Sequence, residues 1–146
     1  MIWEAIEAIA AVVTAAGIFI GAIQLWLTKK IDQTQFEDAL IDHYREIIRK
    51  IPVEALLGRE LTPDEAKKTQ DGVYFYIDLS NDQVILRQNG RISRATWTIW
   101  CDGIKSNLSQ AAFRKAWEEI KIAVPESFSE LRRLENSDFK EDPKAW

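Results

Sequence analysis

The chain has 146 residues, is 47% hydrophobic and carries a net charge of −4, which gives room for one ordinary domain and an appendage. That acidic balance argues against broad nucleic-acid or anionic-lipid binding, because neutralising phosphates needs a basic face. One histidine and one cysteine exclude an intramolecular disulfide and leave little scope for metal sites or histidine-based acid–base pairs.

Glu4 and Glu7 are the only charges before Lys29, and the run from Ala8 to Leu27 is uncharged, with Thr14 and Gln24 its only polar side chains. About twenty such residues make a helix of roughly 30 Å, the thickness of a bilayer's hydrocarbon core. Residues 1–30 are therefore expected to form an uncleaved transmembrane helix. A secretory signal would open on basic residues and close on a small-residue cleavage site, whereas this segment opens on glutamates and leaves through "LWLTKK". Lys29, Lys30, Arg45, Arg49 and Lys50 all follow the run, so the expected topology is single-pass in the inner membrane, N-terminus outside and the rest cytoplasmic. Trp3 and Trp26, with Lys29 and Lys30, suit anchors at the two interfaces.

Within the run the small and polar residues are not scattered. In steps of three and four, Glu7, Ala10, Thr14, Gly17, Gly21, Gln24 and Thr28 fall on one stripe. Lipid gains nothing from Gln or Thr, so this face is expected to meet protein or water in a homo-oligomer. Gly17 and Gly21 form a GxxxG pair that lets helix backbones approach closely. A repeat of 3.5 residues drifts about 20° per heptad against a straight helix, which implies gentle left-handed supercoiling. In a dimer or trimer the stripe is a buried seam with Thr14 and Gln24 hydrogen-bonded across it. In a larger ring it lines an aqueous channel, with Glu7 at the outer mouth and Gln24 and Thr28 at the inner one.

No glycine or proline follows until Pro52, and Phe36, Leu40, Tyr44, Ile47, Ile48 and Ile51 keep helical spacing, which predicts one long helix running out of the span as an amphipathic one. A short apolar segment, "VEALLG", stops at Gly58. Thr62, Pro63, Asp64 and Glu65 predict the next helix start. "GVYFYIDLSNDQVILRQNG" can be read as a strand pair, but helix is preferred: Tyr74, Ile77, Val84 and Leu86 fit that period, Gly90 serves as its cap, and no other strand partners exist. Ser93 is expected to cap a helix with Trp97, Trp100, Ile104 and Leu108 inward. Ser109 is expected to cap another with Phe113, Trp117, Ile120 and Val124 inward. Pro125 opens a last helical segment to about Glu135. The sum is an all-α chain: the span, a cytoplasmic helical domain over 31–136, and a loose tail over 137–146.

No phosphate loop, nucleophile elbow or cysteine pair occurs, so neither catalysis nor a cofactor or metal is expected. His43 reads as a partly exposed helix residue. Tryptophans 97, 100 and 117 read as core rather than as a ligand cage. Arg87, Arg91 and Arg94, three and four apart around Gly90, are the candidate site for a small anionic ligand, against a plainer reading as a solvated face paired to acids such as Asp82. Arg114 and Lys115 are further candidates for such a site. Membrane lipid, a homo-oligomer and a cytoplasmic protein complete the expected partners.

The layout of one span running into a charged helix, then "YFYIDLSNDQVILRQNGRISRATWTIW" and "FRKAWEEI", resembles a widespread group of small bacterial single-span membrane proteins with helical cytoplasmic domains. In architecture it is similar to the membrane accessory proteins of bacterial antiphage and CRISPR systems, some of which assemble rings that permeabilise the inner membrane. The resemblance implies a pore regulated by the cytoplasmic domain, in phage defence. The ribonuclease-like domain of one such group has an arginine four to six residues before a histidine. Here no arginine precedes His43, so no nuclease site is implied. The alternative expectation is a non-conducting membrane anchor that tethers an interaction or signalling module.

Overall fold

In the computed structural model, residues 2–146 are described, with side chains described for Thr14 and from Ala16 onward. The described residues form helices and no strand: α1 (Ile2–Ile48), α2 (Val53–Leu56), α3 (Pro63–Gln88), α4 (Arg94–Ser109), α5 (Ala111–Ala123), α6 (Ser129–Asn136) and a 3-10 turn at Pro143–Ala145. The chain divides into two units, one ending at Phe36 and one spanning Glu37–Trp146.

Helix α1 is continuous to Ile48, as the absence of any glycine or proline between the apolar run and Pro52 predicted. Among the described residues no helix is long and apolar enough to cross a membrane. Much of the expected span, 8–13 and Ala15, lies outside the described side chains, as do Trp3, Glu7 and Ala10.

The second unit is built around α3. Its start is the one expected: Thr62 caps it, the Glu65 amide donates to the Thr62 hydroxyl oxygen, and the Glu65 carboxylate accepts from the Thr62 amide at 2.8 Å. Its end is also the one expected. Gly90 has φ of 69°, and the Gly90 and Arg91 amides donate to the carbonyls of Arg87 and Leu86, the paired bonds of a Schellman cap.

The inward face of α3 differs from expectation. Tyr76 and Ile77 are buried, while Tyr74 points outward. The buried residues are Thr69, Gly72, Val73, Tyr76, Ile77, Leu79, Ser80, Gln83, Val84 and Arg87, and the polar Thr69, Ser80, Gln83 and Arg87 among them make the period hard to see as hydrophobicity. Burial is tolerated because the hydroxyls bond within the helix, Ser80 to the Tyr76 carbonyl at 2.8 Å and Thr69 to the Glu65 carbonyl at 2.6 Å. Tyr76 meets Phe113 edge-on at 5.1 Å and receives a 2.9 Å hydrogen bond from Asn107, which joins α3 to α5 and α4. Gly72 lets α3 pass close to the chain after α1. A Cβ there would lie 2.9 Å from Ile51 Cγ1, and Ile51 is buried.

Trp97, Ile104, Leu108, Phe113 and Trp117 are buried as expected, and Trp100 is half-buried. Two boundaries move. Ser109 does not cap α5. Its hydroxyl donates back to the Ser106 carbonyl, α4 keeps it, and the extended Gln110 starts α5 instead. The last helix begins at Ser129 rather than near Pro125, because Phe128 adopts a left-handed conformation, φ 59°, that breaks any earlier turn. Val124 is therefore left exposed beyond α5.

The segment after Glu37 on α1 belongs to this unit through a charge-assisted cap. Glu37 accepts from the Ser93 amide at 2.6 Å and the Thr96 hydroxyl at 2.5 Å, placing a carboxylate on the positive end of α4. Tyr44 adds an edge contact to Tyr76 at 6.2 Å. Glu37→Ala is expected to lower stability by about 1–2 kcal/mol. Chemical denaturation of the folded chain measures this, and no change would show that Ser93 caps α4 unaided.

The segment 137–146, expected to be loose, is docked. Pro143 is buried, Asp142 pairs with Arg87 on α3, and the Arg133 guanidinium sits 4.3 Å from the Trp146 ring centroid. The docking comes from single specific contacts rather than a period, which is why no pattern announced it.

Candidate functional site

The stripe on α1 is open wherever its side chains are described. Thr14, Gly17, Gln24 and Thr28 are exposed and Gly21 is half-exposed. A Cβ on Gly17 or Gly21 would meet nothing within 4 Å. The surrounding apolar residues are equally bare, Ile18 at 70%, Phe19 at 69% and Leu25 at 75% exposure. Lys30 lies 5.3 Å over the exposed Trp26 ring, and Lys29 is exposed beside it.

The arginine cluster resolves differently from a ligand site. The Arg87 side chain is only 5% exposed and its guanidinium is bidentate to Asp142, Nε to Oδ1 at 2.8 Å and Nη2 to Oδ2 at 2.6 Å, while Nη1 donates to the Ile92 carbonyl at 2.7 Å. Those bonds hold the Asp142 carboxyl below the usual carboxylate range against the opposing effect of burial, and the Lys144 amide and the charge of Arg94 act in the same direction. The chain's own carboxylate thus occupies the place assigned to an external anion, and the acid is Asp142 rather than Asp82. Arg91 and Arg94 stay at the surface.

The sequence reading missed a groove between α3, α5 and the loop before Thr62. It encloses about 500 Å3, and Leu61, Ala66, Val73, Ala111, Ala112 and Ala116 contribute its apolar surface. Arg59, Lys67 and Lys115 stand beside Glu60 and Glu119 along it. Lys115, named as an auxiliary to the arginine cluster, belongs here. The signal available in sequence was the small residues at 112 and 116, one helical turn apart. Thr69 and Gln70 are the uncharged polar residues that line it.

Two further side chains bear on chemistry. His43 is exposed, with Nδ1 3.8 Å from a Glu46 carboxylate oxygen, the arrangement expected of a helix-surface histidine. Cys101 is buried, its thiol 3.6 Å from the Phe139 carbonyl, and burial, aided by the Asp102 charge, pushes it up to about 11. The native chain is expected not to react with a disulfide reagent at pH 8 and to react once denatured. A thiol titration before and after unfolding checks this. Among the described residues no group of three or more His, Cys, Asp or Glu side chains could hold a metal ion. Comparison with protein-family models, curated proteins and solved structures gives no match.

Proposed function

We propose that the chain is an oligomeric inner-membrane protein. Residues 8–27 cross the bilayer once with the N-terminus outside, and several copies bring the stripe from Glu7 to Thr28 together around a conducting axis. The helical domain over the rest of the chain gates or organises that assembly from the cytoplasm. The observation that carries the reading is the bare apolar surface of α1: Ile18, Phe19, Ile20, Ile23, Leu25, Trp26 and Leu27 are all exposed, and their spacing spreads them over every side of the helix except the stripe. An apolar surface that wide belongs against protein or lipid, and the uncharged run continues through 8–13. The open glycines support a second helix against the stripe. Release of ions across the membrane would suit a defence effector, a setting that rests on the resemblance alone, and no catalytic step is part of the reading.

One observation favours a second, non-conducting reading. A GxxxG face with nothing near it is satisfied by two helices, which tether and dimerise without a channel. Recording current through purified, assembled protein in a planar bilayer separates the two. The pore reading expects discrete conductance steps that are altered by Glu7→Gln. Silence from an intact oligomer supports the tether.

A further inference from the structure

The groove over α5 carries charges of both signs that make no ion pair among the described residues. Arg59, Lys67, Lys115, Glu60 and Glu119 all stand along it, and the ion pairs of this unit are made by other residues. Long charged side chains beside a nonpolar floor commonly find partners on their own surface, as Lys121 does with Glu118 and Glu135. A face that holds unpaired cations and unpaired anions together is complementary to itself. Under a two-fold axis, a cation of one copy can be set against an anion of the other and the same contact is made twice. Ala112 and Ala116 share a face of α5 with Lys115 and Glu119, and side chains this small let two helices lie close.

We propose that this groove is the contact that joins the helical domains two by two within the assembly, with α5 of one copy laid antiparallel on α5 of its single partner copy and Lys115 of each facing Glu119 of the other. A ligand of one charge sign would leave either the three cations or the two acids unmatched, whereas a second copy presents both signs to the groove. The inference deepens the oligomer proposed above and rests on it, since the membrane helices bring the copies together, but its test reads a different surface.

The experiment uses the full chain in detergent or lipid. Ala116→Cys, close to the proposed axis, is expected to give a disulfide-linked dimer under mild oxidation, whereas the native chain, whose only cysteine is the buried Cys101, gives none. Adding Lys115→Glu makes the facing groups all acidic and is expected to reduce the linked fraction at least about tenfold, as is Glu119→Lys. An equal mixture of these two variants, each carrying Ala116→Cys, restores opposite charges at both contacts and is expected to recover the linked dimer. These positions are at the surface, and an unchanged helical circular dichroism spectrum confirms folding. No link from Ala116→Cys, a link indifferent to charge, or no recovery in the mixture overturns the proposal. If the link fails while Gly17→Leu with Gly21→Leu still disperses the oligomer, only the groove contact is wrong.

Discussion

Replacing Gly17 and Gly21 together by leucine is expected to disperse the proposed oligomer while the helical domain stays folded. Both glycines lie on the exposed stripe of α1, and apart from the helix's own backbone no described residue lies within 4 Å of where a Cβ would stand, so leucine is harmless to the single helix. It even raises helix propensity by up to about 1 kcal/mol per site. The damage falls on the approach of a second helix, because leucines hold two backbones apart and remove the close packing that replaces a hydrophobic driving force in lipid. A loss of about 1.4 kcal/mol at one contact is a tenfold loss in affinity, and a ring sums that loss over every interface. Size analysis in detergent should show small species with unchanged helical circular dichroism. Ile20→Leu, next to the stripe but off it, should leave the assembly alone, and equal disruption by that variant would remove the stripe from the account.

The second large effect is expected at Asp142. Mutation to alanine strands the Arg87 guanidinium, whose side chain is 5% exposed, with the Ile92 carbonyl as its remaining partner. Breaking a buried pair from one side costs about 3–5 kcal/mol. Because the Asp142 side chain is itself 37% exposed, water screens part of that, and about 2–3 kcal/mol is the expected loss. Replacing both partners, Arg87→Met with Asp142→Ala, should recover much of it, since no buried charge is then left alone. The pH dependence follows from the depressed Asp142 carboxyl. Its contribution is fully present above the ordinary value of 3.8 and is lost as pH falls through the lower folded-state value. Acid should therefore release the C-terminal segment, and Asp142→Asn should flatten that limb of the stability curve. Denaturation midpoints measured across pH 2 to about 6 test both points.

Legibility in the sequence followed the kind of physics involved. The starts of α3 and α4 could be read because a cap is a local event: Thr62 with Glu65, and Ser93 ahead of its helix, announce themselves within four residues. The continuity of α1 could be read from the absence of breakers. The inward face of α3 could not, because Thr69, Ser80, Gln83 and Arg87 occupy core positions, and Thr69, Ser80 and Arg87 are satisfied there through bonds invisible to a hydrophobic count. The docked tail escaped notice for a related reason. Arg87 and Asp142 are 55 residues apart, and nothing local in either one names the other. The same distance turned a candidate anion site into an internal ion pair. The groove over α5 depends on two helices and a loop meeting, so only Ala112 and Ala116 hinted at it.

The central claim, that α1 is shared among several copies in a membrane, is tested most directly by counting subunits of the full chain reconstituted in lipid nanodiscs. The account predicts a single closed species larger than a dimer that Gly17→Leu with Gly21→Leu converts to smaller ones. A monomer, or a dimer unchanged by those substitutions, would contradict it.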